Sequence, residues 1–227
     1  MHEDYYQKNL YPLQDKVLQI IGAVDNNFYL TGGTALSRAY LHHRFSDDLD
    51  FFVNADETFK DQVEQIYSAL MASGLSLETG SVHESHARWF VQQEECTLKI
   101  DFVNDIAYRA GSVKQTGLFE RTDSMRNILS NKVTALARLE AKDIADIVFI
   151  SNKLAFNWQT IMKDAEQKDL WVNPVDAAKL LKEFPLQKIQ TIPWIVKMPD
   201  RTVFQQKIDT IVHDLLRGLD NTLYDST

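Results

Sequence analysis

The chain has 227 residues, 44 % of them hydrophobic and 25 % charged, and a formal net charge of −8 at pH 7. That balance fits a soluble globular protein, either one large domain or a core of about 100–150 residues with a smaller appended unit. It weighs against a broad phosphate-gripping surface. No apolar run approaches the roughly 20 residues that span a bilayer, and the lone Cys96 allows neither a disulfide framework nor a cysteine zinc site.

The opening stretch MHEDYYQKNLYPLQ has no basic start and no apolar core, so it is not expected to act as a signal peptide. With a single cysteine, a reducing cytoplasm is the expected location and no membrane is involved. Leu13, Val17, Ile20, Ile21 and Val24 recur at helical spacing and predict a helix over 13–24. Residues 27–31 predict a short strand. Gly32-Gly33 form a turn, and the residues after them have helical composition. Residues 48–53 (DLDFFV) predict a second strand from their length and their aromatic and branched content. A helix is expected over 56–74, with Asp56 as N-cap and Gly74 just past its end. Three strands follow at 75–79, 86–93 and 97–103. In the last, Leu98, Ile100 and Phe102 share one face and Lys99 and Asp101 the other.

Residues 104–122 have the composition of a loop with at most a short extended piece. Beyond Asp123 the pattern is helical, at about 124–139, 142–154, 158–168, 174–183 and 200–217. Asn173-Pro174 opens one of these helices as an N-cap with proline at the first position. Asp200 and Gly218 bracket the last one. The fold class is α+β: a mixed sheet with flanking helices in residues 1–115, then an α-helical unit in 116–227. The boundary between them is soft and lies near 110–123.

The residues that invite chemistry begin in the second strand. Asp48 and Asp50 are two apart, so they project to one face about 6–7 Å apart. Placed there, they repel each other and lose hydration. A hard divalent cation would offset both costs, and Mg²⁺ takes such oxygen ligands. Asp101, on the polar face of its own strand, can complete a triad. Three carboxylates can hold two metals for an in-line displacement at phosphorus. The competing reading is a strand end that has run into solvent, with Asp101 on the wet face of an edge strand. Gly32-Gly33 lies between a strand and a helix, where backbone approaches closely and a helix start favours phosphate. It is neither a GxxxxGK[ST] loop nor GxGxxG.

Lys132 could be an exposed helix residue, but the spacing argues otherwise, since it borders the apolar stripe of Ile128, Leu129, Val133 and Leu136. Elsewhere the simple readings suffice. Lys142 and Asp146 at i,i+4 are accounted for by a helix-face ion pair. His42-His43 point apart on a helix and are expected at the surface. No HExxH and no nucleophile elbow is present.

The string LTGGTALSRAYLHHRFSDDLDFFV resembles the first motif of nucleotidyltransferases of the AbiEii/AbiGii toxin type, within the DNA-polymerase-β-like superfamily. The pattern is Gly-Gly, a helix, then Asp-x-Asp on a strand, with a third acid on a later strand. Its Arg-x-Ser-x-Asp-x-Asp-Phe version is met by Arg44, Ser46, Asp48, Asp50 and Phe51, and the third acid by Asp101. NKVTALARLEAKDIADIVFI is similar to the family's helical motif at Lys132, Ala135, Leu136, Lys142, Asp143 and Asp146. One departure is Leu139-Glu140-Ala141, where many relatives carry Arg or Gly-Lys. The resemblance covers about residues 25–155.

The resemblance implies a role for each matching residue. Asp48, Asp50 and Asp101 would hold Mg²⁺, with Asp101 alternatively activating the acceptor hydroxyl. Gly32, Gly33, Thr34 and Ser46 would meet the NTP triphosphate, and Arg44 would pair with a carboxylate or a phosphate. Lys132 would neutralise nucleotide charge. Asp143 would stand behind the site or act as a base. It implies transfer of NMP from an NTP to an acceptor hydroxyl on tRNA, other RNA or protein, as the toxin of a type IV toxin–antitoxin (abortive infection) system with a cognate antitoxin. A small-molecule nucleotidyltransferase of the antibiotic-modifying kind remains open beside it, as does a non-catalytic nucleotide or partner binder.

Overall fold

The computed structural model describes residues 2–224, in two compact units. The first comprises the residues up to Ala107 together with Ser112–Asp123. The second comprises Tyr108–Gly111 and the residues from Ser124 on.

The first unit is built on one sheet. Its strands are β1 (Tyr29–Thr31), β2 (Leu49–Asn54), β3 (Ser76–Val82), β4 (His86–Gln93) and β5 (Cys96–Asp105), in the order β1-β2-β5-β4-β3. β2 and β5 run parallel, and the other neighbours are antiparallel. Alternation decides the faces. Leu49, Phe51, Val53, Ala87, Trp89, Val91, Leu98, Ile100 and Phe102 are buried. Aromatic contacts knit this face together: Phe51 stacks on Phe102 at 5.3 Å, and Trp89 lies 4.9 Å from the same ring. The intervening side chains form the opposite, polar face.

Helices precede and connect these strands. α1 (His2–Tyr5), a π-helical turn (Tyr6–Leu10) and α2 (Tyr11–Ala23) follow one another without a break. The sequence predicts only α2, because the apolar spacing begins there and the π turn breaks the 3.6-residue period before it. Behind β1, α3 (Gly32–Thr34) continues into a π-helical stretch (Ala35–Leu41), and α4 (Phe59–Ala72) links β2 to β3. His43 is fully buried rather than at the surface. The chain turns through a left-handed residue at His42 (φ 49°), and that swings the next side chain inward. Strand β2 starts at Leu49, one residue later than expected.

Asp56 does not cap α4; the N-cap position belongs to Thr58. Asp56 instead closes the turn before the helix. One carboxylate oxygen accepts from the Thr58 N–H (2.8 Å) and hydroxyl (2.6 Å), the other from Asn27 (2.8 Å) and Gln62 (3.0 Å). Partial burial works against the charge, but these donors outweigh it and pull its pKa to about 2. A depressed carboxylate stabilises the fold at pH above its ordinary value, and that contribution is lost as pH falls through the folded value. The urea midpoint is therefore expected to drop between about pH 5 and about pH 2.5, and to drop less in Asp56→Asn. Parallel urea titrations of both proteins check this.

The second unit is helical: α5 (Met125–Thr134), α6 (Ala141–Lys153), α7 (Trp158–Glu166), α8 (Pro174–Lys182) and α9 (Arg201–Arg217), with 3₁₀ turns at Ala135–Arg138 and Leu186–Thr191. Ser124, Asn157, Asn173 and Asp200 cap four of these helices with side-chain acceptors, which satisfies first-turn N–H groups. Trp158, Phe204, Ile208 and Ile211 are buried in its core. Among the described residues no helix is long and apolar enough to cross a membrane.

Candidate active site

The register of the sheet gathers the acids on the polar face. Thr31 pairs with Asp50, Asp50 with Asp101, and Asp101 with Arg88. One rung thus crosses β1, β2, β5 and β4, with two carboxylates side by side at its centre. Asp48 sits one residue before β2, and its carboxylate meets Lys99 of β5 at 2.7 Å. The Lys99 ammonium also lies 3.5 Å from Asp101.

Asp101 is the most enclosed of the three acids, with its side chain 9 % exposed. Arg88 grips it with two parallel bonds, Nε to Oδ1 at 2.7 Å and Nη2 to Oδ2 at 3.0 Å, and His86 Nε2 lies 3.1 Å from Oδ1. Burial pushes the Asp101 pKa up. The Arg88 bonds, the Lys99 charge and His86 outweigh it and hold the pKa below the usual carboxylate range. For Lys99 burial works against the charge, and Asp48, Asp101 and Asp50 more than compensate, raising its pKa.

The two glycines are shaped to this rung. Gly32 has φ +69°, and a Cβ there would fall 2.2 Å from Asp50 Oδ2. A Cβ on Gly33 would fall 2.6 Å from Arg44 Nη2 and 3.0 Å from Ser46 Oγ. Gly-Gly therefore lets the helix start lie directly against Asp50, Arg44 and Ser46. Arg44 is buried and donates to the Phe45 carbonyl at 3.0 Å. The buried Thr34 hydroxyl donates to the Asp48 carbonyl, and that of Ser37 to the Arg44 carbonyl. Both bonds tie the helix to the segment that leads into β2. Gln14 donates to the Ser46 and Asp47 carbonyls at 3.1 Å, and Tyr6 stacks on Phe45 at 4.2 Å while its hydroxyl donates to Asp47. The loop that carries Ser46 and Asp48 is pinned from both sides.

Gly32→Ala is expected to cost about 2 kcal/mol of stability from the left-handed backbone alone, and to lower activity further by displacing Asp50. Thermal melts beside a transfer assay check both parts.

In the second unit, Lys132 bridges Asp143 at 2.6 Å and Asp146 at 2.8 Å, and Arg138 reaches Asp143 at 3.1 Å. Asp143 and Asp146 are buried. Beside the expected i,i+4 pairing of Lys142 with Asp146, both aspartates meet the lysine of the preceding helix.

Arg88, Lys99 and His86 were not singled out for chemistry in the sequence. Lys99-x-Asp101 on a polar strand face is the signal that could have drawn in the lysine. Arg88 and His86 depend on the register between β4 and β5.

Among the described residues no set of three His, Cys, Asp or Glu side chains forms a ready metal cage. Mg²⁺ does not require one, since it takes one or two carboxylates and completes its shell with water and substrate phosphate. The Lys99 ammonium, touching both Asp48 and Asp101, marks a point where carboxylates already converge on a cation. In that respect the donor set fits the metal. Asp101 shares both oxygens with Arg88, so as a ligand it would use a remaining lone pair of one of them.

The family described as nucleotidyl transferase AbiEii toxin, type IV TA system, matches residues 17–214. The chain belongs to this family. It is accordingly a nucleotidyltransferase. An uncharacterized protein of Aquifex aeolicus, aq_aa25, is 27 % identical over 164 residues, 68 % of this chain and 71 % of that one. In fold this AbiEii-family chain is similar to the crystal structure of JHP933 from Helicobacter pylori, with a TM-score of 0.61 and 20 % identity over 92 % of this chain and 93 % of that one. A second H. pylori structure, described only as a candidate nucleotidyltransferase, gives 0.57 and 20 % over 92 % and 96 %.

Proposed function

We propose that this AbiEii-family enzyme transfers NMP from an Mg²⁺-bound NTP to a hydroxyl of RNA, tRNA first among the classes to test. In this reading it is the cytoplasmic toxin of a type IV system, with an antitoxin protein as its partner. The observation that carries the reading is the Asp50–Asp101 rung with Gly32 pressed against Asp50. A partly buried carboxylate beside a buried one gains from a cation that offsets their repulsion.

In the transfer, the acceptor oxygen joins the α-phosphorus and gives up its hydroxyl proton to solvent, while the bond from α-phosphorus to the bridging β-phosphate oxygen breaks and pyrophosphate leaves with the electron pair. Little covalent work falls to the protein, so positioning and electrostatics carry the rate. Asp48 and Asp50 are the metal ligands in this account, with Asp101 the third acid. Asp48 and Asp50 would hold a magnesium ion whose positive charge offsets charge on the phosphate oxygens. Asp101, held ionised by Arg88, is a weak base and is better suited to holding charge than to taking a proton. The first N–H groups of the helix beginning at Gly32 suit phosphate oxygens, and Ser46 and Arg44 flank them. Lys132, to which the family motif would give a role at the nucleotide's charge, is held within the helical unit by Asp143 and Asp146.

The net charge of −8 supports a second reading, a small cationic acceptor. The two separate in one assay. The protein is incubated with each α-³²P-NTP, Mg²⁺ and total bacterial RNA, with Asp48→Ala as control. Label on RNA that disappears in the control supports the first reading. Label on protein redirects it to a protein acceptor, and label on neither turns the search to small molecules.

A further inference from the structure

Lys99 reaches two of the three acids, 2.7 Å from Asp48 and 3.5 Å from Asp101. Its place follows from the register. Leu49 pairs with Ile100, so the residue before each, Asp48 and Lys99, stand opposite one another. The next rung on the same face pairs Asp50 with Asp101. The polar face therefore carries a mixed-charge rung beside a like-charge rung, and the ammonium lies across the two. Its side chain is 30 % exposed and that of Asp48 40 %. The flexible four-carbon stem of a lysine lets its charge move several ångströms without backbone change. Arg88 differs: its rigid fork is closed on both oxygens of Asp101.

We propose that Lys99 is a tethered counter-cation for the acid cluster, occupying the place between Asp48 and Asp101 until a divalent cation displaces it. The inference rests on the reading of Asp48 and Asp50 as metal ligands and adds a residue to it. In the metal-free enzyme Lys99 offsets the repulsion among the three carboxylates. A divalent ion entering the same space meets the ammonium as a like charge, so Lys99 weakens metal binding by the enzyme alone. Once displaced, the ammonium remains next to the site and is available to the phosphates that arrive with the metal. Lys99 is in this sense a positioning residue that makes metal and nucleotide binding interdependent.

The test measures Mn²⁺ binding without nucleotide, from the electron paramagnetic resonance signal of free Mn²⁺. It compares the full-length protein with Lys99→Met, Lys99→Arg and Asp50→Asn, each confirmed folded by its melting curve. Lys99→Met is expected to bind Mn²⁺ about tenfold more tightly, as removal of a unit charge next to a dication implies. Lys99→Arg should stay near the original affinity and Asp50→Asn should bind weakly or not at all. Equal or weaker binding by Lys99→Met, with Asp50→Asn still impaired, would overturn the role of Lys99 and leave the metal ligands standing. Binding that ignores Asp50, or no binding by any of the proteins, would overturn both.

Discussion

Asp50→Asn is expected to lower nucleotidyl transfer by about three orders of magnitude, the loss that follows from removing one strong electrostatic contact to the transition state. The melting temperature is expected to change little. Asp50 stands directly across from Asp101 on a neighbouring strand, at the roughly 5 Å spacing of paired strands, and two charges at that distance repel. Neutralising Asp50 removes that repulsion together with its attraction to Lys99 and Arg88, and the two changes oppose each other. A residue kept only for structure would lose stability on substitution. Single-turnover transfer and a thermal melt on the same preparation separate the two roles, and a fall in both would assign Asp50 to structure alone.

Lys132→Met is expected to destabilise the helical unit by about 3 kcal/mol, the low end for breaking a buried ion pair. Asp146 is fully buried, and Lys132 lies 2.8 Å from it with a side chain 12 % exposed. Without the ammonium, a carboxylate with no access to water loses its compensating charge. The cost stays at the low end because Arg138 continues to hold Asp143. Adding Asp146→Leu to Lys132→Met is expected to recover part of the loss, since apolar packing can replace a buried pair. Three of the four tryptophans, Trp158, Trp171 and Trp194, belong to this unit, so tryptophan fluorescence in urea, measured in a Trp89→Phe background, follows its unfolding.

The sheet was legible because its signals are local. Alternation in TLKIDFV and the apolar-aromatic run after Asp48 each reflect which face a residue turns to, and that requires no knowledge of the partner strand. The helices from Asp123 on were legible for the same reason, their caps and apolar spacing being written within each segment. The acid cluster was partly legible. Asp48 and Asp50 share a face by spacing alone, and Asp101 has its face set by Leu98, Ile100 and Phe102.

The cations around them were another matter. Arg88 meets Asp101 only because β4 and β5 pair in one register out of several, and sequence spacing does not determine that register. The same limit explains the helical unit. Lys142 and Asp146 are read as an i,i+4 pair from spacing alone, but the partner that the fully buried Asp146 finds across helices, Lys132, is not visible in that spacing. His43 was expected outside because a helix was assumed to run through it. The left-handed turn at His42 ends the helix first. The N-terminal helix was missed because its π turn erases the periodicity by which a helix is recognised.

The central claim is that the acids on β2 and β5 serve transfer of a nucleotidyl group, and the most direct test follows which phosphate moves. Parallel reactions with the RNA acceptor and Mg²⁺ use the same NTP labelled with ³²P at the α or at the γ position, each repeated with Asp50→Asn. The account predicts that α-label appears on the acceptor, that γ-label appears only in pyrophosphate, and that both signals are lost in the variant. Transfer of γ-label to the acceptor, or α-label transfer undiminished in Asp50→Asn, would contradict it.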